Sequence, residues 1–161
     1  AGSRTHRGCR PRHTRSVRPA EMGVHSFLVP LRFLTMLGHF LSALLIFFSY
    51  RDNIVVSLRF EYTDAEYNVA NSSMLAAIIL TFICLAVQAF GFFGGFTMFD
   101  VGMGLLHCCC HITASILLSF IVIQKWHYVT TWYVFGFFSV APALLEFGAI
   151  LSVLLLKKRR W

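Results

Sequence analysis

Charged side chains are scarce in this sequence, and their scarcity limits the class of protein that it encodes. Only 13% of the 161 residues are Asp, Glu, Lys or Arg, whereas 57% are hydrophobic, and the mean hydropathy is +0.69. A soluble domain of this length needs a largely polar surface, and too few polar residues remain to form one. The composition therefore favours a polytopic membrane protein.

Acidic residues are the scarcest charged type: seven Asp and Glu face fourteen Lys and Arg, giving a net charge of +7. Much of the excess lies in a leader, residues 1–21, and the charges beyond it nearly balance. Basicity therefore does not indicate a nucleic-acid ligand. The leader has no periodic apolar face, so we expect it to be disordered. We interpret it as an upstream extension outside the native protein, with Met22 as the natural start.

Long apolar runs are what the sequence does contain. Each is about long enough to cross a bilayer core as a helix, and lipid leaves the backbone no other partners. We predict an all-α membrane protein, a four-transmembrane-helix bundle with short links and one larger extracellular loop between spans one and two. Pro30 should start span one, and Arg32 should snorkel towards the interface. The predicted spans cover residues 31–50, 74–96, 102–123 and 132–156.

The orientation of the bundle follows from the charges at its ends. The basic quartet of residues 157–160 is difficult to translocate, which places the end of span four in the cytosol. Because four spans return the chain to the side on which it started, we expect both termini to be cytosolic. In the links, Asp100 is placed to cap the start of span three, and residues 124–131 are typical of an interfacial turn.

Residues 51–73 form the only sizeable loop between the predicted spans. Apolar side chains alternate there with polar ones, which predicts a half-buried strand. Thr63 and Glu66 have capping-box spacing and could start a short surface helix that leads to span two. The alternating apolar residues are Val56, Leu58, Phe60 and Tyr62.

Two interpretations of this loop remain open. It could fold back and lie on the bilayer, or it could form a docking edge for the extracellular part of a partner. Asn71 begins a glycosylation sequon on the appropriate side of the membrane, but it lies so close to span two that a transferase could hardly reach it.

Span three contains two histidines and three cysteines in consecutive positions, residues 107–111, which suggests a metal site. His107 and His111 lie one turn apart on one helix face, a spacing that suits zinc. The thiols of residues 108–110 point about 100° apart on a helix and cannot converge on one ion. We therefore predict no metal site, and we keep reversible palmitoylation of a cysteine as an alternative. His39, in span one, should be neutral and hydrogen-bonded to a neighbouring helix.

Glu146 is the ionisable residue that interrupts span four. A carboxylate at that depth costs about 3 kcal/mol or more, so it should be protonated or should face a polar partner inside the bundle. Gln88 and His111 are the predicted partners, and Pro142 frees a backbone carbonyl nearby. We interpret this polar cluster as an interhelical hydrogen bond that sets the register of the bundle. A proton or ion path is the alternative.

A set of short motifs resembles the transmembrane protein 107 family, small four-span proteins of the ciliary transition zone. The resemblance begins at Met22, excludes the leader, and does not include the run 107–110. The motifs that carry it are Pro30-Leu31-Arg32-Phe33-Leu34-Thr35, Glu66-Tyr67, Met98-Phe99, His111 with Ala114-Ser115, Trp126, Trp132-Tyr133, Pro142, Glu146 and Lys157-Lys158.

The resemblance implies a non-enzymatic membrane organiser without a cofactor, located at the base of the cilium. It implies work in the Meckel-syndrome module with tectonics, B9-domain proteins and other transmembrane subunits. There the protein would help to build the diffusion gate that controls ciliary membrane composition, and so support ciliogenesis and Hedgehog signalling. Membrane lipid is the remaining partner, and neither a nucleic acid nor a small-molecule substrate is expected.

A second class of function is compatible with the same residues. His107, His111 and Glu146 could serve a small membrane transporter or a metal-dependent membrane enzyme. Stoichiometric metal in the purified protein would favour this alternative. Loss of a transport current in Glu146→Gln, with assembly intact, would favour it as well.

Overall fold

A computed structural model describes residues 19–95 and 100–158, and side chains within residues 26–95 and 100–155. The predictions for the rest of the leader, for Met98-Phe99 and for the end of the basic quartet lie outside these residues. The structure is helical, and the described residues contain no strand. Its elements are α1 (Pro19–Ser57), α2 (Asp64–Phe93), α3 (Val101–Gln124), α4 (Thr130–Val134), a π-helical turn (Phe135–Val140) and α5 (Ala141–Lys158).

The predicted fold class is confirmed, because four helical segments are long and apolar enough to cross a membrane: Ser26–Ser57, Asp64–Phe93, Val101–Gln124 and Thr130–Leu155. The last segment joins α4, the π-helical turn and α5. Span one is longer than predicted, and Pro30 lies inside α1 rather than at its start. Proline removes one ladder hydrogen bond, which membrane helices tolerate because neighbouring groups satisfy the freed carbonyl.

The four spans alternate in direction. Asp52 near the end of α1 contacts Lys125 at the end of α3, with 3.2 Å between Oδ2 and Nζ. Trp132 of α4 donates from Nε1 to the hydroxyl of Ser73 in α2 at 2.9 Å. α1 and α3 therefore run parallel, and α2 and span four run against them. We call the end that holds the first and last described residues the terminal end, and the opposite end the loop end.

The two halves of the bundle have different interiors. Towards the loop end the core is mainly apolar, with Asn53 and Thr131 as buried polar residues; its fully buried apolar side chains include Ile46, Ile54, Met74, Ile78 and Ile121. Towards the terminal end the interior is polar: Arg32, His39, Gln88, His107, His111 and Glu146 are all buried there. Packing between α1 and α3, the most extensive in the bundle, runs through both halves.

The predicted strand in the loop is wrong. α1 continues to Ser57 and therefore includes Val56. A short loop of residues 58–63 then leads into α2. A lone strand would leave its backbone groups unpaired, whereas the longer helix pairs them: the Leu58 amide bonds to the Ile54 carbonyl at 3.1 Å. The larger loop of residues 51–73 is thereby reduced to what we call the outer loop, residues 58–63.

The predicted caps are found where the sequence placed them. Thr63 and Glu66 form a capping box, with 2.9 Å from the Thr63 amide to Oε2 of Glu66. This box opens α2 itself, so no separate surface helix precedes span two. Asp100 caps α3 by accepting from the Met103 amide at 3.1 Å. Lys125 ends α3 in the left-handed conformation and begins the predicted turn.

Span four is interrupted by the π-helical turn directly before Pro142. Because proline has no amide hydrogen, the regular ladder cannot continue across the preceding turn, and a wider turn absorbs the mismatch. In this region the Ser139 carbonyl accepts from Nε2 of Gln88 at 3.3 Å. This hydrogen bond joins the π-helical turn of span four to α2.

A buried ionisable cluster between the spans

Glu146 of α5 is completely buried and forms an ion pair with α1. Nη2 of Arg32 lies 2.8 Å from Oε2 of Glu146, and the Arg32 side chain is only 4% exposed. The guanidinium also lies over the Phe92 ring of α2, 5.5 Å from its centroid. The prediction that Arg32 snorkels to the interface is therefore wrong, because a carboxylate inside the bundle stabilises the guanidinium there.

His107 of α3 lies on the other side of the same carboxylate. Its Nδ1 is 2.8 Å from the Met103 carbonyl, and its Nε2 is 3.3 Å from Oε2 of Glu146. A carbonyl only accepts, so Nδ1 carries the hydrogen. Arg32, Glu146 and His107 thus join α1, α5 and α3 through charged or polar atoms, and we call them the core triad.

Gly91 of α2 provides the space that the core triad occupies. A Cβ atom added to Gly91 would collide with the Glu146 side chain, including its carboxylate. The carboxylate could move away only by changing its contacts with Arg32 and His107. Gly91 is therefore the position at which α2 makes room for Glu146, and all four spans contribute to this one site.

A pair of histidines adjoins the core triad. Nδ1 of His39 in α1 lies 3.0 Å from Nδ1 of His111 in α3, so one nitrogen donates and the other accepts. The rings of His107 and His111 follow each other on α3 with centroids 6.2 Å apart. The prediction that His39 is bonded to a neighbouring helix is confirmed. Its Nε2 is buried and has no hydrogen-bond partner among the described residues.

The pairing predicted for Glu146 needs correction. Gln88 and His111 are buried in the same half of the bundle, but Gln88 donates to the Ser139 carbonyl and His111 pairs with His39. The carboxylate instead faces Arg32 and His107. Arg32 was predicted at the interface because it lies near the start of a span. Opposite charges on two apolar helices were the signal that could have linked it to Glu146.

The histidine and cysteine run has a different environment at each position. Cys108 is buried, Cys109 is exposed and Cys110 is partly exposed, and all are free thiols. Within the described ranges, no group of three or more His, Cys, Asp or Glu side chains is arranged to hold a metal ion. His107 contacts Glu146, whereas His111 contacts His39. Palmitoylation of a cysteine in this run stays a prediction.

The outer loop and the last turn of α1, which contains Val56, carry apolar side chains that the bundle does not cover. Phe60 is fully exposed, Val56 and Tyr62 are exposed, and Leu58 is half-buried against the apolar core. A cavity of about 610 Å³ lies beside the loop. It is lined by Ser57, Leu58, Arg59, Ala65, Glu66, Val69 and Tyr128. Asn71, whose glycosylation stays a prediction, lies within α2.

Four apolar spans with a shared buried ion-pair site define the class of an α-helical integral membrane protein. A family model described as a transmembrane protein, TMEM107, matches residues 28–150. The chain belongs to the transmembrane protein 107 family. It is similar to transmembrane protein 107 of Mus musculus, with 39% identity over 138 residues, and of Homo sapiens, with 37% over 138 residues.

These similarities extend over nearly whole proteins. Each match covers 86% of this chain and 99% of the mouse or human protein. Transmembrane protein 107 of Rattus norvegicus is 38% identical over the same length. No solved structure matches the chain.

Proposed function

We propose that this protein is a structural component of the ciliary transition zone. It helps to assemble the Meckel-syndrome module and the diffusion gate that controls ciliary membrane composition, ciliogenesis and Hedgehog signalling. Its partners are tectonics, B9-domain proteins and other transmembrane subunits. Membership of the transmembrane protein 107 family supports the proposal, together with the way in which the chain uses its buried charges.

The internal pairing of Glu146 is the observation on which a structural role rests. A membrane carboxylate that carries a substrate faces a cavity or a path. Here the carboxylate contacts Arg32 of α1 and His107 of α3 and is completely buried. One turn and two turns beyond His39, α1 buries the apolar side chains of Ala43 and Ile46, which separate the cluster from the buried Asn53 near the loop end. The cluster therefore holds helices together rather than leading across the bundle.

The orientation is part of the proposal. The first and last described residues lie at the same end of an alternating bundle. Lys157 and Lys158 are the last two residues of α5 at this terminal end, and basic residues at the end of a span favour the cytosolic side. Both termini then face the cytosol at the ciliary base, and the outer loop faces the extracellular side.

The outer loop is the proposed contact with the extracellular part of a partner. Phe60 and Val56 expose apolar surface beside the cavity next to the loop, and aromatic side chains are frequent anchors of protein interfaces. Replacing Val56, Leu58 and Phe60 with Ser should weaken recovery of the partners from ciliated cells. Ile123, an exposed apolar residue at the end of α3, provides a control as Ile123→Ser.

The controls decide how this experiment is understood. Unchanged unfolding temperature of the purified variants shows that the bundle is intact, so that a loss of recovery is a loss of contact. Full recovery of partners by the loop variant would refute the docking role and favour a loop that lies on the bilayer. Doubly tagged protein imaged in ciliated cells after selective permeabilisation tests location and sidedness in one preparation.

A further inference from the structure

The contact between His107 and Glu146 contains more acceptors than donors. Nδ1 of His107 already donates to the Met103 carbonyl, so a neutral ring presents a lone pair at Nε2. That nitrogen lies 3.3 Å from Oε2 of Glu146, and the Pro142 carbonyl is a second acceptor near the ring. Nε2 forms no well-aligned hydrogen bond in this position. A lone pair that faces a carboxylate oxygen in a water-poor interior is repelled.

One additional proton removes this repulsion. We propose that the core triad is a proton-binding site that holds one proton between Nε2 of His107 and Oε2 of Glu146, and that this proton joins α3 to α5. The proton comes from water and is returned to water, so no other reactant is needed. A carboxylate oxygen accepts more than one hydrogen bond, and Arg32 therefore keeps its contact with the same atom.

The charged and titratable groups around this site lie on the neighbouring helices. On α1 the site is adjoined by Arg32 and His39, on α3 by His111 and the buried Cys108, and on α2 by the buried Gln88. Glu146 is the only carboxylate among them. His107 lies about 9 Å along the helix axis from Val101 at the start of α3, so the site is near the terminal end of this span.

Removal of the proton has a defined consequence for stability. The folded protein holds a proton at this site that the unfolded chain releases more readily, so the free energy of unfolding falls as the pH rises through the loss of that proton. Arg32 and Glu146 remain paired in the deprotonated state. The loosened contact is the one between α3 and α5.

The test is nitrogen NMR of the full chain with labelled histidine in lipid nanodiscs. At about pH 8, where exposed histidines are neutral, one ring should retain two N–H groups. This signal should be lost in His107→Gln and should persist in the matched control His111→Gln. If His107→Gln does not fold, the signal can be assigned in the unmodified protein. Magnetisation transfer between the His107 ring nitrogen and a labelled Met103 carbonyl then identifies the ring.

Glu146→Gln provides the second measurement. The amide donates to a neutral imidazole, so His107 should lose its second N–H and keep its bond to the Met103 carbonyl. A protonated Glu146 beside a neutral His107, detected as a carboxylic-acid infrared band that this variant removes, also establishes the bound proton. A neutral His107 beside an ionised Glu146 at about pH 8 overturns the proposal, as does a doubly protonated ring that persists in Glu146→Gln.

Discussion

Arg32 and Glu146 are separated by 114 residues in the sequence and form a buried ion pair with 2.8 Å between Nη2 and Oε2. The pair joins the first span to the last, and Gly91 of α2 provides space for it. His107 adds the third span. Breaking a buried pair leaves an uncompensated charge, which is far more costly than removing both charges together. This asymmetry makes the structural role of the pair measurable.

Single replacement of either charge should strongly destabilise the bundle. Arg32→Met leaves the Glu146 carboxylate buried without the guanidinium of Arg32, and Glu146→Met leaves the Arg32 guanidinium buried without the carboxylate of Glu146. Each change should lower the free energy of unfolding by about 3–5 kcal/mol. The double variant should be far more stable than the sum of the two single effects predicts, because no ion remains buried. Unfolding of the four proteins in one detergent, analysed as a double-mutant cycle, measures the coupling. Additive effects would contradict a direct pair.

Gly91→Ala should destabilise the protein because the new Cβ forces the Glu146 carboxylate away from its partners. Overpacking of this kind costs about 1–3 kcal/mol. Gly148→Ala in α5 is the matched control, since a Cβ there meets no atom within 4 Å and alanine is the better helix former. Thermal unfolding of both variants measures the difference. Equal stability of the two would show that Gly91 does not provide space for the carboxylate.

Thr63→Ala should weaken the start of α2. The Thr63 hydroxyl accepts from the Glu66 amide, and removing such a cap costs about 1 kcal/mol. Thr63→Ser keeps the hydroxyl and should therefore keep the stability that Thr63→Ala loses. Hydrogen exchange of the amides in the first turn of α2 reports the effect locally. If these amides exchange at the same rate in the Thr63→Ala and Thr63→Ser variants, the capping box does not stabilise this helix.

The sequence was sufficient for much of the fold. Apolar runs defined four spans, and short polar patterns identified the caps at Thr63 and Asp100, because these features depend on neighbouring residues. The strand around Val56 was wrong because alternation over a few residues also fits a helix end followed by a short loop: Val56 lies in α1, and the other alternating residues lie in the outer loop. The position of Pro30 was wrong for a related reason: nothing local excludes proline from a membrane helix.

The site was less predictable because its contacts join distant segments. The sequence identified Glu146 as the residue that needs a partner, and it placed His111 and Gln88 correctly inside the bundle. It did not identify Arg32 as the counter-ion, since the facing sides of α1 and α5 depend on how the helices pack. The role of Gly91 could not be separated from general small-residue packing for the same reason.

The most direct test of the structural role compares rescue by the single and double variants in ciliated cells that lack this protein. Arg32→Met and Glu146→Met alone should fail to accumulate at the ciliary base and fail to restore cilia. The double variant Arg32→Met/Glu146→Met should restore both, because a pair that only holds helices together is replaceable by well-packed apolar residues. A folded double variant that reaches the ciliary base but restores no cilia would show that the charges themselves perform the function, which contradicts the account.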